Sequence, residues 1–174
     1  AYRIIQRDEA EVMLAGGAEG AITHMGFGGF CALKALSLRN DEPEKASRPF
    51  DRDRDGLVPG GGAATLILES LESAQARGAD ILAEVVGYGF SSNGEHISNP
   101  NLDGQVRSLE MALKQANLTP TEIDYINAHG TGTPLNDVME TLAIKSVFKE
   151  KAKEIPVSSI KSMIGHTMGA ASAI

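Results

Sequence analysis

The chain is poor in cysteine, tryptophan and positive charge. It contains one cysteine and no tryptophan, and its 16 lysines and arginines are outnumbered by 23 aspartates and glutamates, which gives a net charge of −7. A single cysteine cannot form an internal disulfide, so we expect a reducing, cytoplasmic location. The sequence has no basic stripe that could neutralise a phosphate backbone, and we expect no nucleic-acid partner. No apolar run approaches the ~20 residues of a membrane-spanning helix, which argues against membrane association.

Glycine, in contrast, is abundant, with 19 among 174 residues, and it concentrates in loops. The length suits one ordinary domain, and a composition of 42% hydrophobic and 22% charged residues is typical of a globular protein. The sequence opens and closes inside helix-like segments and lacks an initiator methionine, so we expect an internal fragment of a longer protein.

Apolar periodicity alternates along the chain between the spacing of strands and that of helices. Strands are predicted at residues 11–17, 63–69, 81–90, 123–128 and 155–158. Helices are predicted at residues 26–38, 71–77, 104–116 and 134–148, and from 165 onward. A polar, charged loop occupies residues 39–61. The alternation predicts a layered α/β fold with a largely parallel or mixed sheet.

Two histidines stand in glycine-rich loops, each after a predicted strand and before a predicted helix. His129 is followed by Gly-Thr-Gly-Thr-Pro, where small residues let a substrate approach the backbone and two hydroxyls can bond an amide-bearing chain. His166 begins a predicted helix whose free N–H groups would favour an anion. Lys161 lies five residues before His166, close enough to share its site. These groups together suit the activation of a thioester and the stabilisation of an enolate.

The residues around three other candidate sites argue against a functional role for them. Cys31 has apolar neighbours and no adjacent base, so we interpret it as a core residue and not as a nucleophile. Residues 51–56 begin like a calcium-binding loop, but Gly62 stands where a glutamate is required, and we expect these aspartates to pair with the arginines among them. His24 and His96 lack the spacing of metal ligands, and we predict no metal site.

The order and spacing of three segments resemble the β-ketoacyl-acyl-carrier-protein synthases. Residues 127–140 are similar to the first histidine motif of that family, and residues 159–171 are similar to its lysine and second-histidine motif. Residues 51–62 resemble its Asp-x-x-Arg-Asp-Gly loop and the glycine run that follows. The resemblance extends over nearly all of the chain and favours the class I and II elongating enzymes.

The resemblance implies the thiolase-like fold, in which two related α/β halves stack in five αβαβα layers, incomplete in this chain, and usually form a homodimer. Residues 1–80 would end the N-terminal half, and residues 81–174 would begin the C-terminal half. The implied reaction is decarboxylative Claisen condensation of an acyl thioester with malonyl-acyl carrier protein, in fatty-acid or polyketide elongation. No cofactor is implied, because the substrate is carried on the phosphopantetheine arm of acyl carrier protein, the expected partner.

Three residues receive catalytic roles from the resemblance. His129 and His166 would hydrogen-bond the malonyl thioester carbonyl and stabilise the enolate, and Lys161 would organise the site electrostatically. The nucleophilic cysteine of the family sits at a helix N-terminus and would fall about three turns before Ala1, outside this chain. We therefore expect this fragment alone to be inactive.

Four further positions match the family by resemblance. Thr131 and Thr133 correspond to residues that bind the phosphopantetheine arm, and Asn127 and Glu140 to residues near a monovalent-cation or structural polar site.

An alternative to the synthase is a non-catalytic partner subunit of the same fold, similar to a chain-length factor, which would lack the upstream cysteine. The presence of both histidines and the lysine favours the synthase. A thiolase is a third option, but its motifs would centre on a second catalytic cysteine.

Overall fold

The computed structural model describes residues 1–20, 22–95 and 99–174. Its helices are α1 (Tyr2–Gln6), α2 (His24–Ala32), α3 (Leu71–Ala76), α4 (Leu102–Ala116), α5 (Pro134–Phe148) and α6 (Lys161–Ile164), with 3-10 turns at Pro43–Lys45, Pro120–Glu122, Lys149–Lys153 and Met168–Ala170. Its strands are β1 (Val12–Glu19), β2 (Gly62–Glu69), β3 (Ile126–Asn127) and β4 (Val157–Ser158). Within the described ranges, no helix is long and apolar enough to cross a membrane. His96, to which we gave no ligand role, lies outside the described residues.

Strands β1 and β2 form an antiparallel pair, with Val12 opposite Glu69 and Glu19 opposite Gly62. Exposed and partly buried residues alternate along β1, as expected for a strand with one face against protein. Its partly buried face contacts the 3-10 turn Met168–Ala170. The two backbones are so close that a Cβ added at Gly17 would lie 2.0 Å from the carbonyl oxygen of Gly169. The turn that follows His166 therefore rests directly on this sheet.

The buried apolar core lies between α4 and α5. It is formed by residues that are each less than a tenth exposed: Ile144, Val147, Phe148 and Ile155. The face of α4 that packs on them is the one that the helical spacing predicts, with Val106, Leu109 and Leu113. Burying a large apolar side chain contributes about 1.5–3 kcal/mol, so this contact fixes α5 and the loop that precedes it.

The strand predicted at residues 81–90 is wrong, since the described residues include no strand there. The segment packs on α4 instead: a Cβ added at Gly89 would lie 1.8 Å from the carbonyl oxygen of Ser108, so only glycine allows this approach. Leu82 and Phe90 are 92% and 67% exposed. A strand requires a hydrogen-bonded neighbour, which apolar periodicity cannot supply.

Two helix predictions also change. The helix predicted from residue 165 onward is only a 3-10 turn, because Gly165 takes a φ of 70° and Met168 a φ of 37°, neither of which continues a helix. The helix predicted over 26–38 ends at Ala32, shortly before Lys34 takes a φ of 53°. Cys31, interpreted as a core residue, is exposed, because none of the residues of α2 is buried.

Candidate active site

Both histidine loops leave the same edge of a small parallel sheet. Strands β3 and β4 pair in parallel, with Asn127 opposite Ser158, and the backbone N–H of Ala128 donates to the carbonyl of Ser158 at 2.7 Å. Because the carboxyl ends of parallel strands lie side by side, the chain after each strand enters the same region. Ser159 joins the loops, since its Oγ donates to the carbonyls of His129 (3.3 Å) and Gly130 (2.9 Å).

The two imidazole rings meet edge to face. The centroids of His129 and His166 are 5.4 Å apart and the ring planes are inclined by 88°. The Nδ1 atom of His166 accepts a hydrogen bond from the backbone N–H of Met168 at 3.1 Å. Because Nδ1 is the acceptor, the neutral ring carries its proton on Nε2, which makes Nε2 a hydrogen-bond donor.

Both histidines are held in the neutral form. Burial is the largest cause that lowers the pKa of His166, to about 4, and the charges of His129 and Lys161 lower it further. Burial also lowers the pKa of His129, followed by the charge of Lys161. Although part of His129 is exposed, the protein around its ring still disfavours the charged form. Near neutral pH the site therefore presents two uncharged imidazoles.

Lys161 is buried at the first position of α6, with 5% of its surface exposed. Burial lowers the pKa of its ammonium group, and the charges of Glu140 and Asp137 oppose this shift. Its backbone is anchored from the other half of the chain, because the Oγ of Ser47 donates to the Lys161 carbonyl at 2.6 Å. Lys161 thus lies where its charge acts on both imidazoles.

The charged loop at residues 39–61 holds the second histidine in place. The backbone N–H of His166 donates to the carbonyl of Val58 at 2.7 Å, and the N–H of Gly60 donates to the carbonyl of His166 at 2.9 Å. These two bonds form a parallel bridge between Pro59 and His166. The charged loop is therefore part of the site.

Asp137 ties this loop to the first histidine loop, a role that sequence reasoning missed. Its carboxylate is 1% exposed and accepts hydrogen bonds from the backbone N–H groups of Phe50 (2.7 Å) and Gly132 (3.2 Å). It also forms an ion pair with Arg54 at 3.4 Å. The signal available in the sequence is an aspartate in the first turn of a helix that follows a glycine-rich loop.

Arg54 completes the link. Its guanidinium donates to the carbonyls of Thr133 (3.2 Å), Pro134 (2.7 Å) and Asp51 (2.9 Å), while only 14% of its side chain is exposed. The planar guanidinium offers five donors in a fixed geometry, which suits this bridge between two loops.

The expected pairing of the aspartates of residues 51–56 with Arg52 and Arg54 is confirmed only in part. Arg52 pairs with Asp53 at 3.2 Å. Asp51 pairs instead with Arg48 at 3.1 Å. Asp55 accepts from the Oγ of Ser37 at 2.6 Å and from the backbone N–H of Leu38 at 2.9 Å. Asp51 thus pairs with an arginine that precedes the segment, whereas Asp55 bonds residues 17 and 18 positions away, which local spacing does not reveal.

The hydroxyls of Thr131 and Thr133 contact each other at 2.8 Å and both residues line the cavity. Thr133 is the N-cap of α5, since its Oγ1 accepts from the backbone N–H of Asn136 at 3.4 Å. A cap of this kind stabilises a helix by about 1 kcal/mol. Thr133 therefore has a structural role, and the substrate role of both threonines stays a prediction.

Glu140 fixes the backbone of the first histidine loop. Its carboxylate accepts from the backbone N–H groups of His129 (2.6 Å) and Gly130 (2.8 Å) and from the amide of Asn136 (3.3 Å). Asn127 is exposed at the end of β3. The arrangement of Glu140 fits the structural half of its expected role, and the cation site stays a prediction.

A cavity of about 790 Å³ opens over the histidines. Its lining includes apolar residues, among them Phe30, Leu33 and Leu57, and polar side chains such as Thr131 and Gln105. Of the described residues that line it, none is a cysteine. A pocket of this size and mixed lining is suited to an organic ligand.

The pKa of His166 predicts a pH-dependent stability. The folded value of about 4 lies below the reference value of 6.5, so between these values the unfolded chain binds more protons. The free energy of unfolding is therefore expected to fall as the pH drops from about 6.5 toward about 4, by roughly 2 kcal/mol after allowance for partial exposure of the ring. Urea unfolding of the complete protein at several pH values measures this change in the free energy of unfolding.

His166→Gln is expected to flatten this pH dependence, because glutamine does not titrate. His24→Gln, an exchange at an exposed position of α2, is the matched control and should keep the wild-type slope. An unchanged slope in His166→Gln would show that the stability is linked to another group.

Comparison with known proteins defines the class of the molecule. Profiles of the "Beta-ketoacyl synthase, N-terminal domain" and "Beta-ketoacyl synthase, C-terminal domain" match residues 1–74 and 82–174. The chain is 50% identical over 177 residues to "3-oxoacyl-[acyl-carrier-protein] synthase 2" of Vibrio harveyi, an alignment that covers 100% of this chain and 43% of the relative.

Two solved structures superimpose on nearly the whole chain. A β-ketoacyl synthase from Burkholderia phymatum STM815 matches with a TM-score of 0.95 and 47% identity, covering 99% of this chain and 41% of its own. A type II PKS acyl-carrier protein in complex with its ketosynthase bound to the hexaketide matches with a TM-score of 0.95 and 43% identity, covering 99% of this chain and 43% of that one.

The fold is that of the thiolase-like ketosynthases, as the sequence predicts. The chain belongs to the β-ketoacyl synthase family. It spans about two-fifths of the length of the relatives it matches, 43% in the case of the Vibrio harveyi protein.

Proposed function

We propose that this chain forms part of a β-ketoacyl-acyl-carrier-protein synthase that elongates acyl chains by decarboxylative Claisen condensation, in fatty-acid or polyketide synthesis. The observation that carries the proposal is the pair of neutral imidazoles, 5.4 Å apart in one cavity, with the tautomer of His166 set by the N–H of Met168. A relative of 50% identity that is named for this activity supports it.

The imidazoles suit the charge that develops in this reaction. Malonyl thioester loses CO₂ when its Cα–carboxylate bond breaks and the electron pair forms an enolate, whose negative oxygen needs hydrogen-bond donors. In this scheme the Nε2–H of His166 is one donor, and His129 would supply the second. Neutral donors can bind the oxygen without also attracting the carboxylate before it leaves. Burial lowers the pKa of both rings, and the charge of Lys161 adds to this shift.

The enolate carbon then attacks the carbonyl of an acyl group held as a thioester on a cysteine. A carbon–carbon bond forms, the C–S bond breaks, and the electron pair leaves with the cysteine as thiolate. Cys31 does not line the cavity and lies exposed on α2, so it is not placed for this step. We assign the thiol to a cysteine about three turns before Ala1 in the complete protein.

The partner in this scheme is acyl carrier protein, whose phosphopantetheine arm would enter the cavity past Thr131 and Thr133. No other cofactor takes part. The residue boundary near 80 would separate the N-terminal and C-terminal halves, and the complete protein would be a cytoplasmic homodimer. The match to a ketosynthase solved in complex with an acyl-carrier protein supports the choice of partner.

Labelling of the complete protein with a thiol-reactive mimic of an acyl chain tests the proposal, and it separates the synthase from a non-catalytic partner subunit. We expect one labelled cysteine about three turns before Ala1, and loss of label when that residue is replaced by serine. Cys31→Ser is the matched control and should label like the wild type. Absence of a reactive cysteine at that position would contradict the condensing role and favour the partner subunit.

A further inference from the structure

Ser159 lies at the point where the short parallel ladder ends and the two histidine loops begin. The paired residues of β3 and β4 end at Asn127 and Ser158, one position before Ser159. Ser159 is buried, with 5% of its surface exposed. A Cβ added at Gly130 would lie 2.4 Å from the Cβ of Ser159, so the two loops touch here and only glycine fits opposite this serine.

The hydroxyl of Ser159 is bonded to both loops. It donates to the carbonyls of His129 and Gly130, and the shorter distance, 2.9 Å, is to Gly130. Its oxygen also accepts from the backbone N–H of Lys161 at 3.4 Å. A serine hydroxyl has one donor and two acceptor lone pairs, so these contacts use its proton and one lone pair. One oxygen atom therefore connects the backbone of the first histidine with the start of the helix that carries the lysine.

The backbone around His129 is held from two directions. The carboxylate of Glu140 accepts from the N–H groups of His129 and Gly130 at 2.6 and 2.8 Å. The hydroxyl of Ser159 binds the carbonyls of the same two residues. Gly130 has a φ of 44° and, as a glycine, wide conformational freedom, so bonds to its neighbours must fix this turn. Of the two groups that do so, only Ser159 belongs to the loop that also carries Lys161 and His166.

We propose that Ser159 is a positioning residue for His129, and that its hydroxyl sets the orientation of that ring relative to Lys161 and His166. The inference rests on the proposed function and deepens it, because it names a group on which the second enolate donor depends. Ser159 does not line the cavity, so its effect on the reaction passes through His129. Donors to a developing oxyanion must be held to within about 0.5 Å, which a buried bridge between the two loops can provide.

Kinetics of Ser159→Ala in the complete protein test this role. Alanine has nearly the volume of serine and lacks the hydroxyl. We expect the kcat of malonyl decarboxylation to fall about tenfold, because a misplaced donor stabilises the enolate poorly. The KM for the malonyl thioester and the rate of acyl-enzyme formation should change less than twofold. Rates are divided by the number of acylated sites, so that a smaller folded fraction does not count as slower chemistry.

Ser158→Ala is the matched control, one position earlier in the chain. The hydroxyl of Ser158 contacts the hydroxyl of Tyr125, and both residues are exposed. Removing it should leave both steps within twofold of the wild type. Ser159→Thr retains the Oγ and should keep decarboxylation within about threefold of the wild type.

A second background separates positioning from general stabilisation. In His129→Ala protein, the exchange Ser159→Ala should lower decarboxylation less than twofold, because the ring that the hydroxyl positions is absent. A residue that acts only on the fold would cause the same loss in both backgrounds. That result, equal losses of decarboxylation and acylation, failure of threonine to replace serine, or no effect of Ser159→Ala would overturn the proposal.

NMR titration of isotope-labelled histidines in the resting protein gives a readout that is independent of turnover. In Ser159→Ala the pKa of His129 should rise, because a displaced ring is less buried and farther from the charge of Lys161. In Ser158→Ala it should stay at the wild-type value. If the wild type neither decarboxylates nor condenses malonyl thioesters, the proposed function fails, while the titration still decides whether Ser159 positions His129.

Discussion

Replacing His129 by alanine is expected to reduce malonyl decarboxylation by the complete protein about 100- to 1,000-fold, the usual effect of removing one donor from an oxyanion site. Acyl transfer to the cysteine should stay within a few fold of the wild type, because the imidazole pair acts on the enolate oxygen and not on the acyl group. Release of CO₂ and formation of the acyl-enzyme are measured separately. Equal losses in both steps would contradict the enolate role.

The geometry of the pair sharpens this expectation. Since His129 and His166 face one another at 5.4 Å and would serve one oxygen, the double alanine variant should be little worse than either single variant. His24→Ala, in exposed α2, is the control and should keep both steps. Full additivity of the two losses would show that the rings act on different groups.

Replacing Asp137 by asparagine is expected to lower the free energy of unfolding by about 3–5 kcal/mol, the effect of breaking a buried ion pair on one side. The exchange leaves Arg54 largely buried without its carboxylate and weakens the bonds from Phe50 and Gly132. Denaturant unfolding of the complete protein measures the loss. Decarboxylation should fall as well, because the first histidine loop loses its anchor.

Asp53→Asn supplies the matched control, because Asp53 pairs with Arg52 on the surface, where the two side chains are 58% and 92% exposed. We expect a change below about 1 kcal/mol there. Combining Asp137→Asn with Arg54→Met should recover part of the stability, because no unpaired buried charge then remains. If Asp137→Asn lowered the free energy of unfolding as little as Asp53→Asn does, the ion pair would not link the loops.

Helices and strands that depend on local contacts could be predicted from the sequence. Helix α5 begins and ends at the predicted residues, 134 and 148, because Thr133 caps it, proline suits its first position and its inner face is apolar. Strands β1 and β2 overlap the predicted ranges 11–17 and 63–69, although β1 continues through its two glycines to Glu19. Residues 81–90 have equally apolar character, but strand formation requires a neighbour, so the same reasoning fails there.

Some features of the candidate site could likewise be predicted from the sequence, and others could not. The residue types and their spacing identify the histidine motifs and Lys161, because a reaction restricts which groups can perform it. The same spacing could not reveal that Met168 sets the tautomer of His166, since this depends on a positive φ that a non-glycine residue seldom adopts.

By itself, the sequence determined the family, the chemical groups of the site and the two loops that carry them, because these are properties of short segments. Only the tertiary structure decided how the loops meet. The bonds that join them connect residues far apart in the chain, such as Ser47 with Lys161 and Arg54 with Thr133, separated by 114 and 79 positions. Contacts over such distances form when the chain packs, and no local preference specifies them.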